Sequence, residues 1–147
     1  MMVAYSFKPF FEPQVATGIK LQTVRSQRRR HARPGEAVQL YVGLRTRFCR
    51  KIVDPDPICT DTLPIVIETS SLIESIIAAI DINGRQLHRD EIEEFARADG
   101  FAPERINGLA LDMFGKTARD NMGAFWKANH AIGRFSGELI KWTPRGA

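Results

Sequence analysis

The hydrophobic period of this chain changes near Leu87, and that change limits the folds open to it. Before it, apolar residues alternate with polar ones: Val3, Tyr5 and Phe7, then Val38, Leu40 and Val42, then Ile65 and Ile67. Side chains repeating every second residue are the mark of strands with one buried face. After Leu87 the spacing becomes that of helix faces, with Ile92, Phe95 and Ala96, then Ile106, Leu109, Ala110 and Met113, then Met122, Phe125 and Trp126. Residues 139–143 return to the strand pattern. Strands first, helices late and one closing strand predict an α+β fold. The expected architecture is a small closed β-barrel of five to six strands flanked by three to four helices. Closure removes the unpaired edges that an open sheet presents.

Turn chemistry sets the boundaries. Residues 10–17 read as a short helix stopped by Gly18 in a left-handed cap, and 21–25 as a strand. The run Arg28-Arg29-Arg30-His31-Ala32-Arg33 leads into Pro34-Gly35 and is expected to be an exposed, mobile basic loop. A strand near 47–53 precedes a loop at 54–60 that carries Pro55 and Pro57. Residues 71–82 suit helix or strand, and Asn83-Gly84 favours a hairpin. Asp90 with Glu93 resembles a capping box for a helix that keeps Asp99 on its apolar face and ends at Gly100. Pro103 begins a second helix, expected to run to Gly115, and a third spans about 119–129. With no linker, repeat or low-complexity tract, residues 1–147 read as one domain.

Composition narrows the function classes. A 44% hydrophobic and 26% charged chain is that of an ordinary globular protein. No apolar run reaches the roughly 18 residues of a membrane span. The start lacks a basic segment followed by an apolar one, so the expected compartment is the cytoplasm. Cys49 and Cys59 lack CxxC spacing, so no disulfide, metal or cofactor is expected, and no obligatory protein partner is evident. Net charge is +4. Residues 20–51 hold ten Lys or Arg against one acid, and residues 52–104 hold twelve acids against three arginines. That polarity favours an anionic partner on one side.

The stretch richest in chemistry is Gly18-x-Lys20-x-x-Thr23-x-Arg25. It sets an amine, a hydroxyl and a fixed positive charge within six residues. Lys20 and Thr23 would point to opposite faces of a regular strand, so they converge only if Lys20 lies in the turn before it. The pattern resembles the signature of the ASCH superfamily, small barrels related to the PUA RNA-binding fold. The usual signature carries glutamate where this chain has Thr23. The threonine form resembles the branch that hydrolyses N(4)-acetylcytidine. Arg33-Pro34-Gly35-Glu36, Asp99-Gly100-Phe101 and Phe135-x-Gly137-x-Leu139-Ile140-x-Trp142 resemble further family segments.

This resemblance implies Thr23 as nucleophile, Lys20 as its base and Asp99 as acid, with no metal. Asp99 stands where that branch carries glutamate, and Glu94 or Glu68 are alternatives for the acid. The roles are chemically coherent: a threonine hydroxyl attacks only when a neighbour takes its proton, and lysine does so only when burial and nearby positive charge depress its pKa. Arg25, Arg28, Arg29, Arg30 and Arg45 are candidate phosphate contacts. Tyr41 and Trp126 are candidate base-stacking faces, although Trp126 reads first as core because it shares a helix with Met122 and Phe125, and His130 is a candidate cavity residue. The implied substrate is a modified cytosine nucleoside or RNA. Two alternatives use the same residues: an RNA-binding module without chemistry, and a ribonuclease in which Lys20 and the arginines stabilise a phosphoryl transition state.

Overall fold

The computed structural model describes residues 3–110 and 112–146. Among the described residues the fold is α+β, with eight strands in two sheets and four α-helices. β1 (Val3–Phe7) pairs parallel with β3 (Val38–Val42), and β3 pairs antiparallel with the short β4 (Arg50–Lys51). The second sheet is antiparallel, in the order β2 (Gln22–Ser26), β8 (Arg134–Thr143), β5 (Ile58–Thr69), β6 (Ile77–Ile82) and β7 (Arg85–Gln86). The long β5 and β8 run side by side through its centre. β2 can lie tightly on β8 because residue 137 is glycine: a Cβ there would come within 2.2 Å of the Arg25 carbonyl oxygen.

The sheets meet at one corner. Ala37 bridges Ile58, Val38 N donates to Pro57 O at 2.9 Å, and Cys59 N donates to Glu36 O at 2.8 Å. Among the described residues no further ladder joins the sheets into a closed barrel. Between them Tyr5, Leu40, Ile65 and Ile67 are almost fully buried, as their alternation requires, and the consecutive Leu139 and Ile140 of β8 are both fully buried as well. The Asn83-Gly84 hairpin forms as expected, with both residues at positive φ. No helix among the described residues is long and apolar enough to cross a membrane.

Helical segments cover the end where β2 begins. A 3-10 turn (Pro9–Phe11) leads into α1 (Glu12–Ala16), and α2 (Arg89–Ala96) continues into a wide turn (Arg97–Phe101) where Gly100 takes φ +99°. α3 (Pro103–Ile106) and α4 (Ala118–Asn129) follow. Phe11, Phe101, Phe125 and Trp126 link these segments, with neighbouring ring centroids 5.3 to 6.1 Å apart.

Four expectations are corrected. The helix beginning at Pro103 stops at Ile106 rather than Gly115, because Asn107 is extended and Gly108 sits at φ +84°; Leu109, expected in the core, is exposed. The strand near 47–53 is reduced to β4. Glu91, not Glu93, caps its own helix by accepting from His88 N at 2.8 Å, while Glu93 accepts from Ala118 N and Arg119 N at the start of α4. The basic stretch before Pro34 is fastened down. Arg28 donates to the Ala4 and Arg30 carbonyls, Arg30 pairs with Glu36, and Tyr5 Oη, 3.1 Å from His31 Nδ1, accepts from Ala32 N.

Candidate active site

Local turn geometry delivers Lys20 to the interior. Gly18 at φ +78° lets the chain double back so that Ile19 N and Lys20 N both donate to Gln14 O, at 2.9 and 3.0 Å. β2 begins only at Gln22, so Lys20 lies in the turn, as convergence with Thr23 demands. Its side chain is 2% exposed. Lys20 Nζ donates to the Asp99 main-chain oxygen at 2.5 Å and lies 3.4 Å from Asp99 Oδ1. The Phe11 ring centroid is 4.6 Å from the amine and that of Phe7 5.9 Å.

Asp99 arrives from the opposite side of the fold through the wide turn after α2. Gly100 makes that turn possible, since its φ suits glycine and a Cβ there would meet Phe11 at 2.8 Å and Lys20 Cδ at 3.0 Å. Gln14 Nε2 donates to Gly100 O at 2.9 Å, and Gln22 Nε2 donates to Asp99 Oδ1 at 3.3 Å. Burial lowers the Lys20 pKa and raises that of Asp99; in each group desolvation outweighs the attraction between them. The neutral amine with a protonated carboxyl holds the same protons as the ion pair. Both shifts run in the direction of that neutral arrangement.

Thr23 lies on the same wall, 5% exposed. Its Oγ1 accepts from Arg25 Nε at 2.9 Å, while Arg25 NH2 donates to Ser6 O at 2.8 Å. The guanidinium also lies over Phe7 and Tyr5, at 4.9 and 5.4 Å from the ring centroids. Burial pushes Arg25 down to about 10, so it remains charged at neutral pH. Among the described residues no hydrogen bond joins Lys20 to Thr23; both face one cavity of about 730 Å³. Asp99, Phe48, Trp126 and His130 complete the lining that matters chemically. His130 stacks on Trp126 at 4.7 Å, and burial lowers its pKa toward the neutral ring. Trp126 is 3% exposed, and its Nε1 is buried without a hydrogen-bond partner among the described residues.

Other predicted residues fall elsewhere. Tyr41 does not line this cavity; its ring lies 5.9 Å from Lys51 Nζ. Glu68 pairs with Arg134 at 3.1 Å, and Glu94 is exposed, so Asp99 is the carboxylate among the three candidates that reaches the cavity. Arg28, Arg29, Arg30 and Arg45 line a second cleft. Sequence reasoning missed Phe48, an aromatic flanked by Arg47 and Arg50 in a polar run, and Gln14 and Gln22, whose burial beside charged groups no periodicity marks. Among the described residues no group of three His, Cys, Asp or Glu could hold a metal. No protein-family model, curated protein or solved structure matches the chain.

Proposed function

We propose that the chain is an amidohydrolase that removes the acyl group from N(4)-acylated cytosine nucleosides. The observation carrying this reading is the Lys20–Asp99 pair, buried at a cavity wall that also presents the Thr23 hydroxyl. A buried amine and carboxyl driven toward neutrality can supply a base and an acid, which a structural ion pair in water does not. Arg25 occupies one lone pair of Thr23 Oγ1 and leaves the hydroxyl proton free to point at a base. The aromatic wall suits a planar base. The PUA-like barrel is part of the proposal, and its support is the Ala37–Ile58 bridge between two sheets that no further ladder among the described residues closes.

The neutral Lys20 amine accepts the Thr23 proton as Oγ1 forms a bond to the acyl carbon. The bond from that carbon to the exocyclic nitrogen then breaks. The departing amine takes a proton from the Asp99 carboxyl, and water attacks the threonine ester to release the carboxylic acid. Contact between Lys20 and Thr23 must tighten when substrate fills the cavity, as catalytic hydrogen bonds commonly do.

The test is release of cytidine from N(4)-acetylcytidine by purified protein. Wild type should turn over and Thr23→Ala should not, with unchanged melting temperature. Turnover by Thr23→Ala overturns the nucleophile. Absence of turnover in folded wild type overturns the reaction and leaves the RNA-binding reading, which draws on arginines outside this cavity but gives the buried Lys20–Asp99 pair no task.

A further inference from the structure

Six arginines, 25, 28, 29, 30, 33 and 45, line one cleft of about 850 Å³ beside β1, and among the described residues no carboxylate lines it with them. Elsewhere four arginines have carboxylate partners, while exposed Arg47, Arg89 and Arg105 have no ion pair among the described residues. Arg50 pairs with Glu12, Arg85 with Glu91, Arg97 with Glu104 and Arg134 with Glu68. Within the cleft Arg30 turns to Glu36, and Arg28 is spent on main-chain carbonyls and the Tyr5 ring at 4.5 Å. The guanidinium groups of Arg29, Arg33 and Arg45 have no hydrogen bond or ion pair among the described residues. Like charges gathered with Glu36 as the carboxylate beside them still repel, and a bound anion relieves that repulsion.

The cleft and the active-site cavity are adjacent chambers. Ser6 and Arg25 line both, and Arg25, held by Thr23 Oγ1 and Ser6 O, forms the partition. A base seated beside Thr23 would therefore send its ribose toward the arginines. We infer that the cleft is a phosphate subsite, and that the substrate is an N(4)-acylated cytidine whose ribose carries a phosphate monoester. This rests on the proposed amidohydrolase reading for the reacting end of the substrate, while the phosphate subsite itself rests on the arginines alone. Guanidinium groups suit the role because their paired N–H donors match phosphate oxygens.

The experiment compares N(4)-acetylcytidine with its 5′- and 3′-monophosphates at low salt. One of the monophosphates should show kcat/KM at least about tenfold higher than the nucleoside. Raising the salt concentration should erode that advantage. The triple variant Arg29→Gln/Arg33→Gln/Arg45→Gln, checked for unchanged melting temperature, should bring the better monophosphate down to the level of the nucleoside. Equal kcat/KM for all three substrates in wild type overturns the inference, as does an advantage that survives the triple variant. A parallel titration with cytidine and its 5′- and 3′-monophosphates separates the two readings. Tighter, arginine-dependent binding of a monophosphate without any turnover keeps the subsite and rejects the reaction. Turnover with no preference for phosphate in either assay does the reverse. A short single-stranded RNA that competes while neither monophosphate binds overturns the monoester in favour of a polymer backbone.

Discussion

Asp99 and Glu91 each face a cation, and their carboxyls are driven in opposite directions. Glu91 stands at the surface, where Arg85 donates to both its oxygens at 3.1 and 3.0 Å and the His88 main chain adds a third bond. Those hydrogen bonds, with Arg85 the larger cause, hold it down to about 2. Asp99 has Lys20 at 3.4 Å and Gln22 at 3.3 Å, yet burial raises its pKa. A positive neighbour therefore does not by itself fix the protonation of a carboxyl. Water around Glu91 keeps the ion pair cheap to form; its removal around Asp99 makes both charges of the pair expensive.

The largest expected effect comes from breaking the buried pair on one side. Lys20→Met strips Asp99 of its nearest cation and should destabilise the protein by about 3–5 kcal/mol in denaturant titration. Turnover should fall at least ~10²-fold because the base is gone. Lys20→Met/Asp99→Asn should regain most of the stability and none of the turnover. If Lys20→Met loses no more stability than Arg85→Gln, the two sites are energetically alike and the contrast fails.

Gly100→Ala tests how the buried site is held. At φ +99° an alanine is strained, and its Cβ would press on Phe11 and Lys20 Cδ. A loss of about 1–3 kcal/mol is expected. Turnover should fall by up to about 10²-fold, because the Asp99 carbonyl that receives Lys20 moves with the turn. Unchanged melting and unchanged turnover together would show that the turn does not position Asp99.

That glycine also marks how far the sequence is informative. Strands with one buried face declare themselves by alternation, so β1, β3 and the core half of β5 are legible, and Gly18 places Lys20 in a turn. Gly100 signals the end of a helix, but nothing local says that the next turn lies against Lys20, 79 residues earlier in the chain. The apolar stripe from Ile106 to Met113 looks helical by its spacing, yet Ile106 and Met113 are both buried with the helix ended at Ile106 and the chain turning at Gly108. By sequence Tyr41 is a candidate aromatic contact and Phe48 is not marked as one. Only the path of the chain after β3, through Gly43 at φ +67°, brings Phe48 and not Tyr41 to the cavity. The arginine run reads as one basic loop, whereas tertiary contacts divide it into paired, stacked and unpaired members.

A subtler change should move the Lys20 titration without breaking the pair. If neutral Lys20 is the base, kcat/KM rises with pH through its folded-state value, which lies below the ordinary lysine range. The charge of Arg25 contributes to that depression, after desolvation. Arg25→Gln should therefore shift the basic limb to higher pH while also loosening Thr23. A limb that stays in place removes Arg25 from the electrostatics of the buried pair and leaves burial alone to account for it.

The smallest effect at neutral pH belongs to Glu91→Gln, and its value lies in the sign of its pH dependence. A carboxyl whose folded pKa is depressed contributes stability above its unfolded value, about 4.3, and loses it as pH falls through the folded value. Since Glu91 is held at about 2, wild type should lose its advantage over Glu91→Gln between those limits. Asp99→Asn should behave in the opposite sense. With a raised folded pKa, wild-type Asp99 is a burden that is fully present above that value and absent below about 3.9. Urea midpoints of the three proteins at neutral and acid pH read both signs in one experiment. The wild type should gain on Asp99→Asn and lose to Glu91→Gln as the solution is acidified. Two differences of the same sign would mean that the cation, rather than the solvent, governs both carboxyls.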